Sequence, residues 1–346
     1  MPSLNTSRLT TITHHINDER NLHPEATGEF TNLLNDLQLA IRILSRDVRR
    51  AGLNDILGIT HSTNIHGEQV RKLDAYSNEV LKKAMTRSAN IAMMVSEEED
   101  EPIIVQSAPN AKYVLAFDPL DGSTNIDVNV TIGTIFSMYR RLDPDLDNPP
   151  TIDDLLQPGY KQVAAGYALY GSSTIFVYTT GQGVHAFTLD STLGEFLLIR
   201  ENIKMPSRGS YYSVNEGNYY KWDDNLRQYI DYLKTPSKDK TRPYGLRYIG
   251  SGVADIHRTL LKGGIFIYPK DEKYTNGKLR LVYEANPLAM LIEQAGGRAS
   301  DGNNRILDLK PKNVHERTPL ILGSKEDVFE CESFLKGEHP MQKMIL

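Results

Sequence analysis

Asp118 and Asp121 stand three residues apart in FDPLDGSTN, residues 117–125, and Gly122, Ser123 and Thr124 follow at once. Two carboxylates repel an anion, whereas backbone amides beside a glycine at a helix start attract one. Both can serve one ligand if cations lie between the carboxylates and the anion. A second acidic group, Glu97, Glu98, Glu99, Asp100 and Glu101, follows the apolar run IAMMVS much as Asp118 follows YVLAF. Acids at the ends of strands can converge on one point at the edge of a sheet. Scattered carboxylates with a backbone carbonyl suit a hard cation such as Mg²⁺, which takes oxygen ligands and keeps several waters. Histidine and thiolate spacing for zinc is absent. Pro119 fixes φ and favours a sharp turn between the two aspartates. Taken alone, the EEEDE run reads as a solvated face, and DPLDGST as an Asx turn with capping acids.

The elements that must position these groups are legible as changes of period. Leu33, Leu34, Leu37, Ile41, Leu44 and Val48 recur at spacings of three and four, which predicts one amphipathic helix closed by Gly52. Thr27 and Gly28 sit where its N-cap belongs. Residues 53–72 break the period and read as a mobile loop before a second helix over Leu73–Ala89. From Ile91 onward, short apolar runs (IAMMV, YVLAF, TIGTIFSMY, VAAGYALYG, TIFVYTT, VHAFTL, FLLI) predict a largely antiparallel sheet. Beyond about Met205, strands (GIFIYP, RLVYE, PLILGS) alternate with helices (WDDNLRQYIDYL, ADIHRTLLKG, PLAMLIEQAGG), so the class is layered α/β with a boundary near residues 203–208.

The 346 residues suffice for two domains with cores that need no disulfide. A net charge of -5 gives no bulk attraction to nucleic acid or an anionic membrane, so neither is an expected partner, and an anionic substrate must be met locally. Cys331 has no internal partner, which fits a reducing compartment. The first twenty residues lack an apolar core of the secretory kind, and the final MIL is not an SKL-type address. The expected location is cytoplasmic, with a peroxisome-related organelle as the alternative for a trimmed C-terminus.

FDPLDGSTN resembles the DPxDG(T/S) signature of the lithium-sensitive, metal-dependent sugar and inositol phosphatases, and YEANPLAMLIEQAGG resembles their second signature. STNIHGEQVRKLD, residues 62–74, adds a further match. With VSEEE, VAAGYALYG, NEG, RYIGS, ADIHRTL, GGIFIYP and GKLRLVYE, the resemblance narrows to the fructose-1,6-bisphosphatase family over roughly residues 27–330.

That resemblance implies an inositol-monophosphatase-like α-β-α-β-α five-layer sandwich with mixed, mostly antiparallel sheets. It implies an N-terminal allosteric domain, 1–204, carrying most metal ligands, and a C-terminal substrate domain, 205–346. The implied activity is Mg²⁺-dependent hydrolysis of fructose 1,6-bisphosphate in gluconeogenesis, with Mn²⁺ substituting. Glu97, Asp118, the Leu120 carbonyl, Asp121, Glu284 and Glu68 are the implied ligands of about two or three ions. Glu98 and Asp74 are the implied catalytic pair for an attacking water. Asp121, Gly122 and Ser123 would meet the transferring phosphate. Asn215, Tyr219, Arg247, Tyr248, Ser251, Tyr268, Lys278 and Arg280 would hold the rest of the substrate, Arg247 reaching across a homotetramer. Thr27, Gly28, Glu29, Thr31, Lys112, Tyr113 and Arg140 match the family's inhibitory AMP site. Three positions depart from the pattern: Glu68 replaces a metal-associated Asp, Asn218 stands where a phosphate-binding Tyr is expected with Tyr219 one residue on, and Gly252 replaces a sugar-contacting Met. Another sugar bisphosphatase, or an AMP sensor without catalysis, are the competing readings; intact Glu97, Glu98, Asp118, Asp121 and Glu284 argue against the sensor.

Overall fold

The structure, a computed structural model, describes residues 10–20, 28–51, 53, 58–63, 69–143 and 146–340; Thr27 and Glu68 lie outside them. Three helices open the chain: α1 (Ile12–Arg20), α2 (Glu29–Val48) and α3 (Lys72–Arg87). As the spacing predicts, α2 buries Leu33, Leu34, Leu37, Ile41 and Leu44. The segment predicted as a loop contains a strand pair instead, β1 (Ile59–Thr63) and β2 (Gln69–Arg71), paired antiparallel. Their β-branched residues supply the strand preference, and the Lys72 N–H donates to the Gly58 carbonyl at 3.0 Å, closing the base of the pair.

The seven apolar runs, joined by a two-residue strand that none of them contains, form an eight-stranded sheet: β3 (Ile91–Ser96), the two-residue β4 (Ile103–Ile104), β5 (Tyr113–Asp121), β6 (Ile132–Arg140), β7 (Gln162–Tyr170), β8 (Thr174–Thr179), β9 (His185–Asp190) and β10 (Glu195–Arg200). Its order is β10-β9-β8-β7-β6-β5-β3-β4, antiparallel throughout except where β3 runs parallel to β5. Alternation sorts its side chains: Phe136, Ala168, Phe176 and Phe187 pack with α2 and α3, whereas Ile135, Tyr167, Val177 and Ala186 face the other way. Strands covered on both faces lose the polar half of the alternation, which is why they read as continuous apolar runs.

The second half contributes α4 (Asp224–Lys234), α5 (Gly252–Lys262), α6 (Asn286–Gln294) and α7 (Lys325–Leu335). Its strands are β11 (Tyr211–Ser213), β12 (Gly245–Leu246), β13 (Ile265–Tyr268), β14 (Leu279–Arg280), β15 (Arg298–Ser300), β16 (Arg317–Thr318) and β17 (Leu320–Gly323). Five of these form a mixed sheet in the order β12-β11-β13-β17-β15, and β14 pairs with β16. A second core joins the far face of the large sheet to α5, α6 and one face of the small sheet, through Val253, Leu260, Leu288, Ile292, Phe266 and Leu322. A third core packs Ile265, Ile267 and Ile321, from the other face of the small sheet, on α4 and α7.

RLVYE departs from its predicted strand. Only Leu279 and Arg280 pair as strand, and Leu281–Ala285 form a π-helical turn that runs directly into α6. Val282 and Tyr283 bury against Met93, Val114 and Tyr139, and the Arg280 N–H donates to Glu284 Oε2 at 2.6 Å. Single π-turns inside helices occur often at functional sites.

Candidate active site

In a regular strand, residues three apart face opposite sides of the sheet. Asp118 and Asp121 escape this because β5 carries a bulge: Asp118 lies opposite Ile135 and Asp121 opposite Gly133, so Pro119 and Leu120 together face Thr134 alone. The extra residue resets the alternation and both carboxylates reach one pocket. Pro119 thus sits in a bulged strand rather than the predicted sharp turn. Its carbonyl accepts from Thr134 Oγ1 at 2.9 Å, and the Leu120 N–H donates to Asp118 Oδ1 at 2.9 Å. Immediately after β5, Gly122 takes φ 82°, and a Cβ there would stand 2.7 Å from Ser251 Oγ. Glycine is required on both counts, and the 3₁₀ helix Ser123–Val128 starts from it.

Oxygen atoms of Asp118, Asp121 and Glu284 lie within 4.8 Å of one another. Asp121 is oriented from α5: its Oδ2 accepts from the Val253 N–H at 2.8 Å and from Ser251 Oγ at 3.3 Å. Gly252 keeps Oδ1 open, since a Cβ at that position would come within 3.1 Å of it. Glu284 comes from the π-turn, and Glu97 comes from the end of β3 with the Arg280 guanidinium at 3.2 Å. The acidic run divides by residue: Glu97 and Glu98 line the pocket, Glu99 pairs with Lys82 on α3 at 2.5 Å, and Asp100 and Glu101 are exposed. The solvated-face reading therefore holds for the last two alone.

Packing these acids together has an electrostatic cost that shows in their proton affinities. Burial, and then the charges of Glu97, Asp121 and Glu284, push Asp118 well above the carboxylate range. Burial lifts Asp121 to about 6. Burial and Glu97 lift Glu284 to about 8 against the opposing pull of Arg280. Asp74, in the first turn of α3, is lifted to about 7 by burial, against the Arg71 N–H on its Oδ2 and the nearby side chain of Ser123. A cluster of oxygen donors with unmet negative charge and no nitrogen or sulfur ligand fits a hard divalent cation.

Tyr248, Tyr268, Lys278 and Arg280 line the same pocket, and Tyr268 and Lys278 also line an adjoining one with Asn215, Asn218, Trp222 and Tyr274. The pocket therefore opens from an acidic floor toward a basic and phenolic end. Tyr219 does not join it: its hydroxyl donates to Asp231 at 2.7 Å, and Asn218 lines the adjoining pocket in its place. Arg247 is exposed, with its guanidinium on the Leu246 carbonyl and over the Tyr211 ring. Asp255, which sequence reading missed, holds the Tyr248 segment by accepting from the Ile249 and Gly250 N–H groups and from Ser213 Oγ. Its only signal was an acid in the first turn of a helix following RYIGS.

The model for "Fructose-1-6-bisphosphatase, N-terminal domain" matches residues 10–201, and that for the C-terminal domain matches residues 205–336. The chain belongs to the fructose-1,6-bisphosphatase family. Within the family, it is 56% identical over 329 residues to the class 1 fructose-1,6-bisphosphatase of Chloroherpeton thalassium, covering 95% of this chain and 94% of that one. It is 55% identical to that of Chlorobaculum parvum, covering 95% and 98%. The crystal structure of Leishmania major fructose-1,6-bisphosphatase in holo form superposes with a TM-score of 0.88 at 43% identity, covering 94% of this chain and 99% of that one. The apo form superposes with a TM-score of 0.84. Family members are metal-dependent, and the buried acidic cluster suits a metal.

The described residues expected at the effector site lie near one another, at the opposite end of β5. Gly28 caps α2 with φ 84°, and Glu29 in its first turn pairs with Lys112 at 2.8 Å. Phe30 lies against Tyr113, ring centroids 5.9 Å apart, and Arg140 stands opposite Tyr113 on β6. Thr31 follows in the same first turn of α2, and Arg140 is exposed. Helix-start amides beside Lys112 form an anion-attracting corner, with Glu29 as the present partner of the lysine.

Proposed function

We propose that this chain hydrolyses D-fructose 1,6-bisphosphate to fructose 6-phosphate and phosphate, using Mg²⁺, with Mn²⁺ as a substitute. The observation that carries the reading is the convergence of Asp118, Asp121 and Glu284 beside Gly122 and Ser123 in a pocket whose far end is Lys278, Tyr248 and Tyr268. Glu97, Asp118, the Leu120 carbonyl, Asp121 and Glu284 would hold the ions, with Glu68 added from outside the described residues. Bound Mg²⁺ supplies charge neutralisation at the phosphoryl group and acidifies a coordinated water.

The remaining work falls to side chains and amides. N–H groups of Gly122 and Ser123 orient the 1-phosphate for in-line attack. Asp74 and Glu98 position the water and one of them takes its proton as its oxygen bonds to phosphorus; the bond to the sugar oxygen breaks, and that oxygen leaves with the electron pair and takes up a proton from solvent to become the sugar hydroxyl. Burial raises the proton affinity of Asp74, the direction that an acceptor of this proton requires. Lys278, Tyr248, Tyr268 and Asn215 face the other phosphate and the sugar. The same reading includes the five-layer α-β-α-β-α order, supported by the three cores that separate the sheets from their helices. It includes an effector domain over 1–204, a substrate domain over 205–346, and a homotetramer in which Arg247 serves a neighbouring subunit. AMP inhibition is assigned to Gly28, Glu29, Thr31, Lys112, Tyr113 and Arg140, with Thr27 outside the described residues.

Phosphate release from fructose 1,6-bisphosphate, compared with sedoheptulose 1,7-bisphosphate and with simple sugar monophosphates, tests the reading. Release is expected with Mg²⁺ or Mn²⁺ and abolished by chelator; turnover that persists in chelator overturns the metal assignment. A preference for the seven-carbon substrate overturns the substrate assignment.

A further inference from the structure

Asp127 belongs to none of the residue sets assigned above, yet it touches three segments that matter to them. It sits in the 3₁₀ helix that begins at Gly122 and Ser123, so its backbone is continuous with the turn read as the phosphate cradle. Its Oδ1 accepts from the Gly58 N–H at 3.2 Å, just before β1. Its Oδ2 accepts from the Arg71 guanidinium, at the end of β2. One carboxylate therefore grips both stems of the β1–β2 pair, whose base is closed a second time by Lys72 N–H on the Gly58 carbonyl.

Arg71 carries the grip onward. It is the N-cap of α3, and its backbone N–H donates to Asp74 Oδ2 at 3.2 Å, three residues into the helix. Among the described residues, Asp74 is oriented by this N–H on Oδ2 and by the side chain of Ser123, a residue of the turn itself. One of the two groups that fix the Asp74 carboxylate is therefore Arg71, and Arg71 is placed by Asp127. Side-chain exposure of 41% for Asp127 and 19% for Arg71 leaves this ion pair partly shielded, so it constrains position better than a fully solvated pair does.

We propose that Asp127 is a positioning residue: through Arg71 it sets Asp74 in register with the Gly122–Ser123 turn, so that proton acceptor and phosphate cradle are located by a single rigid piece of chain. Catalysis by positioning is steep, because a displacement of about 1 Å in a reacting group can cost about 100-fold. The proposal rests on the phosphatase reading given above, and the two fail differently. Inactive wild-type protein defeats the phosphatase reading; active wild-type protein with unaffected variants defeats this one.

The experiment compares wild type, Asp127→Ala, Asp127→Asn, Arg71→Ala and the Asp127→Ala/Arg71→Ala double variant for phosphate release from fructose 1,6-bisphosphate at saturating Mg²⁺. Thermal midpoints and trypsin cleavage after Arg71 are measured alongside. The expected pattern is a kcat loss of about tenfold or more for Asp127→Ala, with KM within about threefold, because contacts to the far phosphate are untouched. Asp127→Asn keeps an acceptor for Gly58 and recovers part of kcat. The double variant is no worse than the more damaged single one, as residues acting in series require. Trypsin cleaves after Arg71 several-fold faster in Asp127→Ala, at a midpoint within a few degrees of wild type. A kcat within twofold of wild type, multiplicative losses in the double variant, or an equal loss in Asp127→Asn each overturn the proposal.

Discussion

Replacing Glu284 by Gln trades function for stability in a way that depends on pH. Glu284 is buried, its folded-state affinity is raised to about 8 from an ordinary 4.5, and the causes in order are burial and the charge of Glu97, opposed by Arg280. A carboxyl raised on folding binds its proton more tightly in the folded than in the unfolded chain. Stability is therefore highest below the ordinary value, falls as pH rises from 4.5 toward 8, and stays reduced above 8. The full gap converts to at most about 5 kcal/mol at 1.36 kcal/mol per unit. Glu97, Asp118 and Asp121 share that repulsion, so removing one charge recovers on the order of 2–3 kcal/mol. Glutamine keeps an oxygen for the Arg280 N–H and is close in volume. In chelator, Glu284→Gln should match wild type near pH 4.5, and melt higher by several degrees near pH 8.5, at roughly 2 °C per kcal/mol for a chain of this size. Turnover should fall at least about 100-fold. Calorimetric or dye-monitored melting across pH 4.5–8.5, with and without Mg²⁺, reads it out. Equal midpoints at pH 8.5, or a penalty that is constant with pH, would refute the repulsive-cluster reasoning.

Other expectations are narrower. Asp118→Asn or Glu97→Gln should remove most turnover in folded protein; a near-normal rate in either shows that the acid holds no ion. Gly122→Ala forces a Cβ to within 2.7 Å of Ser251 Oγ at a positive φ, and should lower kcat by tenfold or more and stability by about 1–3 kcal/mol, checked by kinetics and melting. Lys112→Ala should raise the AMP concentration for half-inhibition several-fold while uninhibited turnover stays within about twofold, because Lys112 lies at the far end of β5 from the acidic pocket. Because the Tyr219 hydroxyl is engaged by Asp231, Tyr219→Phe should leave KM within about twofold whereas Tyr268→Phe should raise it; comparable increases would place Tyr219 in the substrate path.

Much of this protein was legible before any coordinates. A period near 3.6 marked α2, and the buried residues there are the ones that spacing names. Short apolar runs separated by turn formers marked β3 and β5 through β10, because strands covered on both faces carry no polar alternation to confuse the period, whereas the two-residue β4 was too short to show. Residue chemistry alone named the acids that converge in one pocket, and Gly122 announced a backbone conformation that other residues rarely adopt. Three things were decided only in three dimensions. The β5 bulge turned Asp118 and Asp121 to one side, and a bulge depends on which residue the partner strand places opposite, not on local preference. RLVYE became a π-turn since Val282 and Tyr283 found a core contributed by β3, β5 and β6, nearly 150–190 residues earlier in the chain. The run EEEDE separated into pocket, ion-pair and solvent residues because α3 brought Lys82 to Glu99 alone. Composition and period are local quantities and survive in the one-dimensional chain; which side chain meets which across a sheet is set by burial and register, and these exist only once the layers have packed.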